Sequence, residues 1–322
     1  MNKTAFILSA AVLLPVHFLY AETIALQVAT QDHPHIRALL DGRVKAQGCE
    51  LQISTHSLKA ILQKQNHWDV SEVEILPYIE DLAAGRTTDY VLIPVFLSRE
   101  FQLRNVYIRT DRGIHSPVDL RGKSIGVSGY GGTAPTWVRG TLESSWSIKP
   151  SEITWLDTET SGEPNSSLSD WLASGKVDAI LSSVPPKLFV DKNPKVARLF
   201  PDFKQIEYAQ FKETRIFSID TALAVRRDVA QQNPWLAESL FIAFSQAKKS
   251  AMADLTLPLP WEESNLADTQ RLMGKNFWSY GIKSNPKSLG AIFTLARDQK
   301  LLARPLTIED VFEHSTLMLL ED

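Results

Sequence analysis

A glycine-rich turn is the first stretch whose residue types and spacing could do chemistry. Residues 124–137 read SIGVSGYGGTAPTW, and Gly129, Gly131 and Ala134 satisfy the GxGxxA pattern of dinucleotide-binding turns. A helix is predicted over 133–145 with Thr133 as its N-cap, and free N–H groups at a helix start attract anions. The turn is therefore a candidate anion site, although its glycines could serve only to permit a tight turn.

The same turn is a poor match to a nucleotide site. A dinucleotide fingerprint follows the first strand and needs an acidic residue ~20 positions later. Here the nearest such acid, Asp157, lies 28 residues after Gly129, and no Gly-Lys-Ser/Thr follows to make a P-loop. We therefore predict that the turn contacts a carboxylate, through Tyr130, Gly131, Gly132, Thr133 and Trp137. The Trp137 indole either stacks on an aromatic ligand or packs between helix and sheet.

Cationic and titratable residues follow the first predicted strand, over 23–30. The loop contains Asp32, His33, His35 and Arg37. A guanidinium binds a carboxylate bidentately and keeps its charge, so Arg37 is predicted to clamp an anion. The alternative is a salt bridge with Asp41 at helical spacing. The loop lacks the spacing of a defined ligand set, so we predict no metal.

A second predicted clamp follows the strand-like run YVLIPVFLS at 90–98. This run ends at Ser98, and Arg99 comes directly after it. Residues at the carboxyl ends of parallel strands face the ligand crevice in α/β folds, which places both side chains among the predicted ligand contacts. Ser182 and Ser183 end another predicted strand and could donate hydrogen bonds to the same ligand.

One more candidate stands at the start of a predicted helix over 70–85, which Gly85 would terminate. Ser71 opens this helix after Trp-Asp-Val. Its hydroxyl either caps the helix, which is the common role of a serine there, or faces the cleft as a ligand contact.

The elements that must position these residues alternate between strands and helices of similar length. That order implies right-handed βαβ crossovers and an α/β fold with mainly parallel sheets. Two predicted crossings would join two lobes through a hinge, with the ligand cleft between them. The predicted boundaries are a signal peptide at 1–21, lobe one at 22–113 plus 217–322, and lobe two at 114–216.

The first residues and the composition bear on location and partners. MNKTAFILSAAVLLPVHFLYAET has the layout of a secretory signal peptide cleaved after Ala21, which predicts export to the periplasm without stable membrane insertion. Cys49 is the only cysteine, so the chain can form no intramolecular disulfide. The formal charge of -3 argues against a nucleic-acid partner.

Several stretches resemble one known fold family. SPVDLRGKSIGV and LASGKVDAILSS are similar to the second-lobe motifs of type 2 periplasmic solute-binding proteins. The chain also resembles the 4,5-dihydroxyphthalate decarboxylase-like branch of that fold, and this resemblance is collinear over nearly the whole mature chain. The segments that carry it include 68–85, 93–114, 118–140, 198–203, 226–244, 273–282 and 303–315. The family pattern tends to place a histidine where this chain has Thr221.

Two functions remain open from the sequence. The favoured one is an exported binding protein that closes on a small anionic carboxylate, aromatic or aliphatic, with the permease of an ABC-type transporter as candidate partner and no cofactor. The alternative is a carboxy-lyase of the 4,5-dihydroxyphthalate decarboxylase type. Such an enzyme needs an acid to protonate the ring carbon, and His35 or Glu72 could supply it. No GxSxG elbow of a serine hydrolase occurs.

Overall fold

The computed structural model describes residues 23–63, 67–86, 88–163, 167–261 and 265–321. The predicted signal peptide, at 1–21, lies outside the described residues. None of the helices in these ranges is both long enough and apolar enough to cross a bilayer.

Ten strands form two five-stranded sheets in this part of the chain. The strands are β1 (Ile24–Thr30), β2 (Cys49–Thr55), β3 (Val70–Glu74), β4 (Tyr90–Ser98), β5 (Val106–Arg109), β6 (Ser124–Val127), β7 (Thr154–Asp157), β8 (Ala179–Leu181), β9 (Val196–Arg198) and β10 (Thr221–Arg226). The order is β2-β1-β3-β10-β4 in the first sheet and β7-β6-β8-β5-β9 in the second.

Each sheet contains a single antiparallel strand. In the first sheet β10 runs antiparallel to β3 and β4, while β1 pairs in parallel with β2 and β3. In the second sheet β5 runs antiparallel to β8 and β9, while β6 pairs in parallel with β7 and β8. The prediction of a two-lobed α/β fold with mainly parallel sheets is confirmed.

Helices cover the sheets and fill most of the chain after β10. They are α1 (Arg37–Leu40), α2 (Leu58–Gln63), α3 (Ile75–Ala83), α4 (Thr133–Trp146), α5 (Leu168–Ser174), α6 (Lys187–Val190), α7 (Phe203–Thr214), α8 (Arg227–Gln232), α9 (Leu236–Ala253), α10 (Leu266–Met273), α11 (Pro286–Asp298) and α12 (Ile308–Val311). The apolar faces of α9 and α11 belong to the core of the first lobe.

The chain passes between the two sheets twice. It leaves the first sheet after Ser98, and β5 already pairs in the second sheet. The predicted boundary at 113/114 is therefore too late, because residues 106–109 lie in the second lobe. The chain returns to the first sheet with β10, and these two crossings form the hinge segments.

The segment at 70–85 is not the single helix that the sequence predicted. Its first five residues form β3, in the middle of the first sheet, and the helix begins only at Ile75. Residues Val70 to Val73 are all buried, so both faces of this strand are covered. A strand buried on both faces loses the alternation that would separate it from a helix. Ser71 consequently lies within a strand and caps no helix.

Pro94 does not interrupt β4, which continues to Ser98. β4 lies at the edge of its sheet, where proline is tolerated. The pairing with β10 shifts register between Thr221, opposite Ser98, and Leu223, opposite Ile93. This irregularity brings Thr221 to the end of β4, beside the cleft.

Candidate functional site

The carboxylate of Glu72 is the centre of a buried polar network. It accepts hydrogen bonds from Gln31 N at 2.7 Å, Gln31 Nε2 at 3.0 Å, His33 Nε2 at 3.0 Å and Thr221 Oγ1 at 2.6 Å. These residues meet because β1 and β3 end at the same sheet edge where the antiparallel β10 begins. Burial by itself would raise the pKa of Glu72, but His33 and the hydrogen bonds outweigh it and hold that pKa below its ordinary value.

His33 is one of the two members of this network that reach solvent, together with Gln31. Its side chain is 14% exposed, whereas that of Glu72 is completely buried. Because Nε2 is bound to the Glu72 carboxylate, Nδ1 is the ring nitrogen left to exchange a proton or bind a ligand. Sequence reasoning placed His33 only in a loop of mixed polar residues, since the strand that carries Glu72 was read as a helix.

His35 lies beneath His33 and is fully buried. The two rings stack with their centroids 4.9 Å apart, and Trp278 also packs against the His35 ring, with centroids 5.5 Å apart. Burial, followed by the charges of His33 and Lys248, lowers the pKa of His35 well below its ordinary value. His35 is therefore uncharged at neutral pH and supports the orientation of His33 from below.

The glycine turn of the second lobe faces β3 and α3 of the first. Helix α4 begins at Thr133 with Gly132 as N-cap, so the predicted capping by Thr133 is wrong. The Thr133 amide donates to Glu74 Oε1 at 2.6 Å, and the Leu76 amide donates to Thr133 Oγ1 at 3.2 Å. A carboxylate from lobe one thus already lies on the helix start in lobe two, where the sequence predicts an anion.

Asp157 holds the other amides of this turn. Its carboxylate accepts from Gly129 N at 2.9 Å and from Tyr130 N at 2.8 Å, and Gly129 has a positive φ of 77°. Asp157, the acidic residue weighed against the dinucleotide pattern, therefore fixes the shape of the turn. Its carboxylate occupies amide groups that a pyrophosphate would need.

Gly131 lies where the first lobe comes close to the turn. A Cβ at this position would lie 2.7 Å from Glu80 Oε2, so the Glu80 side chain would have to move to admit it. Burial, followed by the charge of Asp81, raises the pKa of Glu80 to about 7, against the opposing charge of Arg139. Arg139 itself lies below the turn, with its guanidinium 3.9 Å from the Tyr130 ring centroid.

The raised pKa of Glu80 predicts a loss of stability as pH rises. The folded state keeps the Glu80 proton up to about 7, whereas the unfolded chain loses it near 4.5, so the free energy of unfolding falls between these values. We expect Glu80→Gln to flatten this slope in urea unfolding at pH 5, 6, 7 and 8. Glu143→Gln, at an exposed position of α4, should keep the wild-type slope. Equal slopes in both variants would contradict the assignment.

The predicted clamps do not come together opposite Thr133. Arg37 is 59% exposed and pairs with Asp32 at 3.2 Å, while Asp41, its predicted alternative partner, pairs with Arg43. Arg99 is buried inside lobe one, enclosed by protein acceptors, and we leave it out of the cleft site.

Trp137 and most of the predicted serines make their hydrogen bonds within the protein. The buried Trp137 indole donates to Ile219 O at 3.3 Å and packs in the core of lobe one, which favours the packing alternative. The Ser71 hydroxyl is buried and donates to Glu72 O, and the Ser98 amide donates to Thr221 Oγ1 at 2.9 Å. Ser182 donates to Val184 O, and Ser183 is exposed.

The sequence of the chain matches a known family over more than half of its length. The family model described as NMT1/THI5 like matches residues 76–254. A protein named 4,5-dihydroxyphthalate decarboxylase from Comamonas testosteroni is 32% identical over 321 residues, which cover 91% of this chain and 97% of that protein.

Solved structures with the same fold have little sequence identity to this chain. The periplasmic aliphatic sulphonate binding protein SsuA from Escherichia coli aligns with a TM-score of 0.53 and 13% identity, covering 92% of this chain and 99% of SsuA. The desulfurization enzyme DSZB aligns with a TM-score of 0.52 and 14% identity, covering 91% of this chain and 97% of DSZB. Since the family model and the full-length relative agree with the two-lobed fold, the chain belongs to the NMT1/THI5-like family and has the type 2 periplasmic-binding fold.

Proposed function

We propose that this chain is an exported solute-binding protein whose lobes close on a small carboxylate, for delivery to an ABC-type transporter. The observation that carries the proposal is the bond from the Thr133 amide to the Glu74 carboxylate across the two lobes. This bond supports the start of α4 as a binding site for a carboxylate, because backbone N–H groups and the helix dipole favour negative charge there.

In this proposal the ligand carboxylate takes the place of Glu74 on the Thr133 amide. The ligand then lies between α4 and the end of the first sheet that carries the partly exposed side chain of His33. A ligand favours the closed form only through contacts that the open form lacks, and a bond to both lobes is such a contact. The likeness in fold to periplasmic binding proteins supports export and a transporter partner, as does the sequence of the first 21 residues.

A second candidate function is decarboxylation of a hydroxylated aromatic acid, which the His33–Glu72 pair favours. When the carboxylate leaves as CO₂, its bonding electron pair stays on the ring carbon, which must then take up a proton. Glu72 is ionised and buried, so it orients His33, and protonated His33 donates through Nδ1. The full-length relative named as a decarboxylase supports the same candidate.

One experiment separates these functions. The mature protein is titrated calorimetrically with a panel of aromatic and aliphatic carboxylates, including 4,5-dihydroxyphthalate, and CO₂ release is measured with every compound that binds. Saturable binding without CO₂ supports the binding protein, and CO₂ release that His33→Ala abolishes supports the enzyme. If no carboxylate of the panel binds or reacts, both functions are wrong.

A further inference from the structure

Lobe one contains a cavity of about 430 Å³ that is separate from the cleft. It lies among the end of α7, the hinge segment before β10 and the start of α11. The charged side chains on its wall are all cationic, and they are Arg99, Arg215 and Lys287. Its other lining residues are polar or apolar, with Phe211 and Phe217 among the apolar ones, and none of the cleft residues His33, Glu72, Glu74 and Thr133 lines it.

The Arg99 guanidinium on this wall has no carboxylate partner within the described chain. Nη1 donates to Ser279 O at 3.0 Å and to Asn285 Oδ1 at 2.8 Å, and Nη2 donates to Phe217 O at 2.8 Å. All of these acceptors are neutral. Nε makes no hydrogen bond, and the residue is only 6% exposed. Asp220 and Glu321 favour the charged form of Arg99 electrostatically but accept no hydrogen bond from it. A buried charge whose direct acceptors are all neutral is costly, and an anion in contact with it offsets that cost.

The first turn of α11 lies on the same wall. Asn285 is the N-cap, but its side chain accepts from Arg99 and Ser279 and makes no capping hydrogen bond to the helix. Lys287 and Ser288, in the first turn of this 13-residue helix, line the cavity. The uncapped helix start and the buried guanidinium therefore attract negative charge to one place.

We infer that this cavity is a second anion site, distinct from the cleft, which binds a small oxyanion such as sulfate or the sulfonate end of a short organic molecule. Arg99 begins the first hinge crossing and donates to Phe217 O in the second. The Arg99 guanidinium links the two crossings through this hydrogen bond. An oxyanion bound in the cavity compensates the positive charge of Arg99, so its binding stabilises the hinge. Sulfate and 1-propanesulfonate, used as separate probes, distinguish an inorganic from an organic occupant.

The test is thermal unfolding of the full chain in increasing sulfate or 1-propanesulfonate, with chloride at matched ionic strength as the reference. Specific binding raises Tm approximately as ln(1 + c/Kd), where c is the anion concentration, so the curve bends near Kd, whereas the general salting-out effect of sulfate grows in proportion to concentration and is the same in every variant. Lys287→Glu should weaken the apparent affinity at least fivefold, and Arg99→Met should abolish the logarithmic part.

Lys283→Glu is the matched control, because Lys283 lies in the same segment and does not line the cavity. It should retain the wild-type affinity, and so should His33→Ala in the cleft. A logarithmic shift that both lysine variants weaken equally would overturn the inference, as would the absence of any such shift. Because Lys287 is exposed, this comparison holds even if Arg99→Met fails to fold.

Discussion

Replacing Glu72 with alanine is expected to lower the free energy of unfolding by about 3–5 kcal/mol, because several donors lose a buried acceptor and each buried donor left unsatisfied costs about 1–3 kcal/mol. The loss is large because the Gln31 amide, the Gln31 side chain, His33 and Thr221 all donate to this one carboxylate. Without it their donors are left inside the protein with no acceptor. Urea unfolding at pH 7 measures the effect.

The control for this prediction is Gln31→Met, which removes one side-chain donor and leaves the Gln31 amide in place. We expect it to cost about 1 kcal/mol, the usual contribution of one hydrogen bond. Because Glu72 has a lowered pKa, the stability that it provides is present above the unfolded-state pKa and is lost as pH falls through the folded-state value. Equal costs for both variants would mean that the carboxylate does not organise the network.

Replacing His33 with alanine is expected to raise the Kd for the cleft carboxylate about 10- to 100-fold, since a hydrogen bond to a charged group contributes about 1.5–3 kcal/mol. The side chain is partly exposed and donates only to Glu72, so the loss of stability should be smaller than that of Glu72→Ala. Isothermal titration with the tightest carboxylate of the panel gives the ratio of the Kd values.

His115→Ala provides the comparison, because His115 is exposed on lobe two, away from this network. It should bind the carboxylate as the wild type does. A Kd that stays unchanged in His33→Ala, in a variant that folds normally, would remove His33 from the proposed site and leave only the helix start of α4.

Much of the fold could be predicted because its elements carry clear local signals. The strand predicted over 23–30 alternates in polarity and is rich in strand-forming residues, and the structure confirms it at Ile24–Thr30. Glycines directly precede the start of α4, and the helix predicted over 133–145 is also confirmed. The prediction of a helix at β3 was wrong because a central strand, buried on both faces, shows no alternation of polar and apolar residues. The five residues of β3 are also followed directly by the helix α3.

The site was predicted less well for a related reason. The residue types of Arg99 and Trp137 indicated that each side chain could bind a ligand. They did not indicate that groups within the protein would already accept hydrogen bonds from both side chains. Arg99 is bound by carbonyl and amide oxygens of lobe one, and Trp137 by the Ile219 carbonyl. His33 could have been found from its position after β1 once Glu72 was placed at the end of a neighbouring parallel strand.

The bond between Glu74 and Thr133 means that the molecule carries its own tethered competitor. A group attached by a short chain acts at an effective concentration on the order of millimolar. A free carboxylate must compete with the Glu74 side chain for the Thr133 amide. Common anions at lower concentration therefore leave the Glu74–Thr133 bond intact. Under the proposed function, only a solute that gains further contacts between the lobes displaces Glu74, and the Glu74–Thr133 bond then makes the cleft selective.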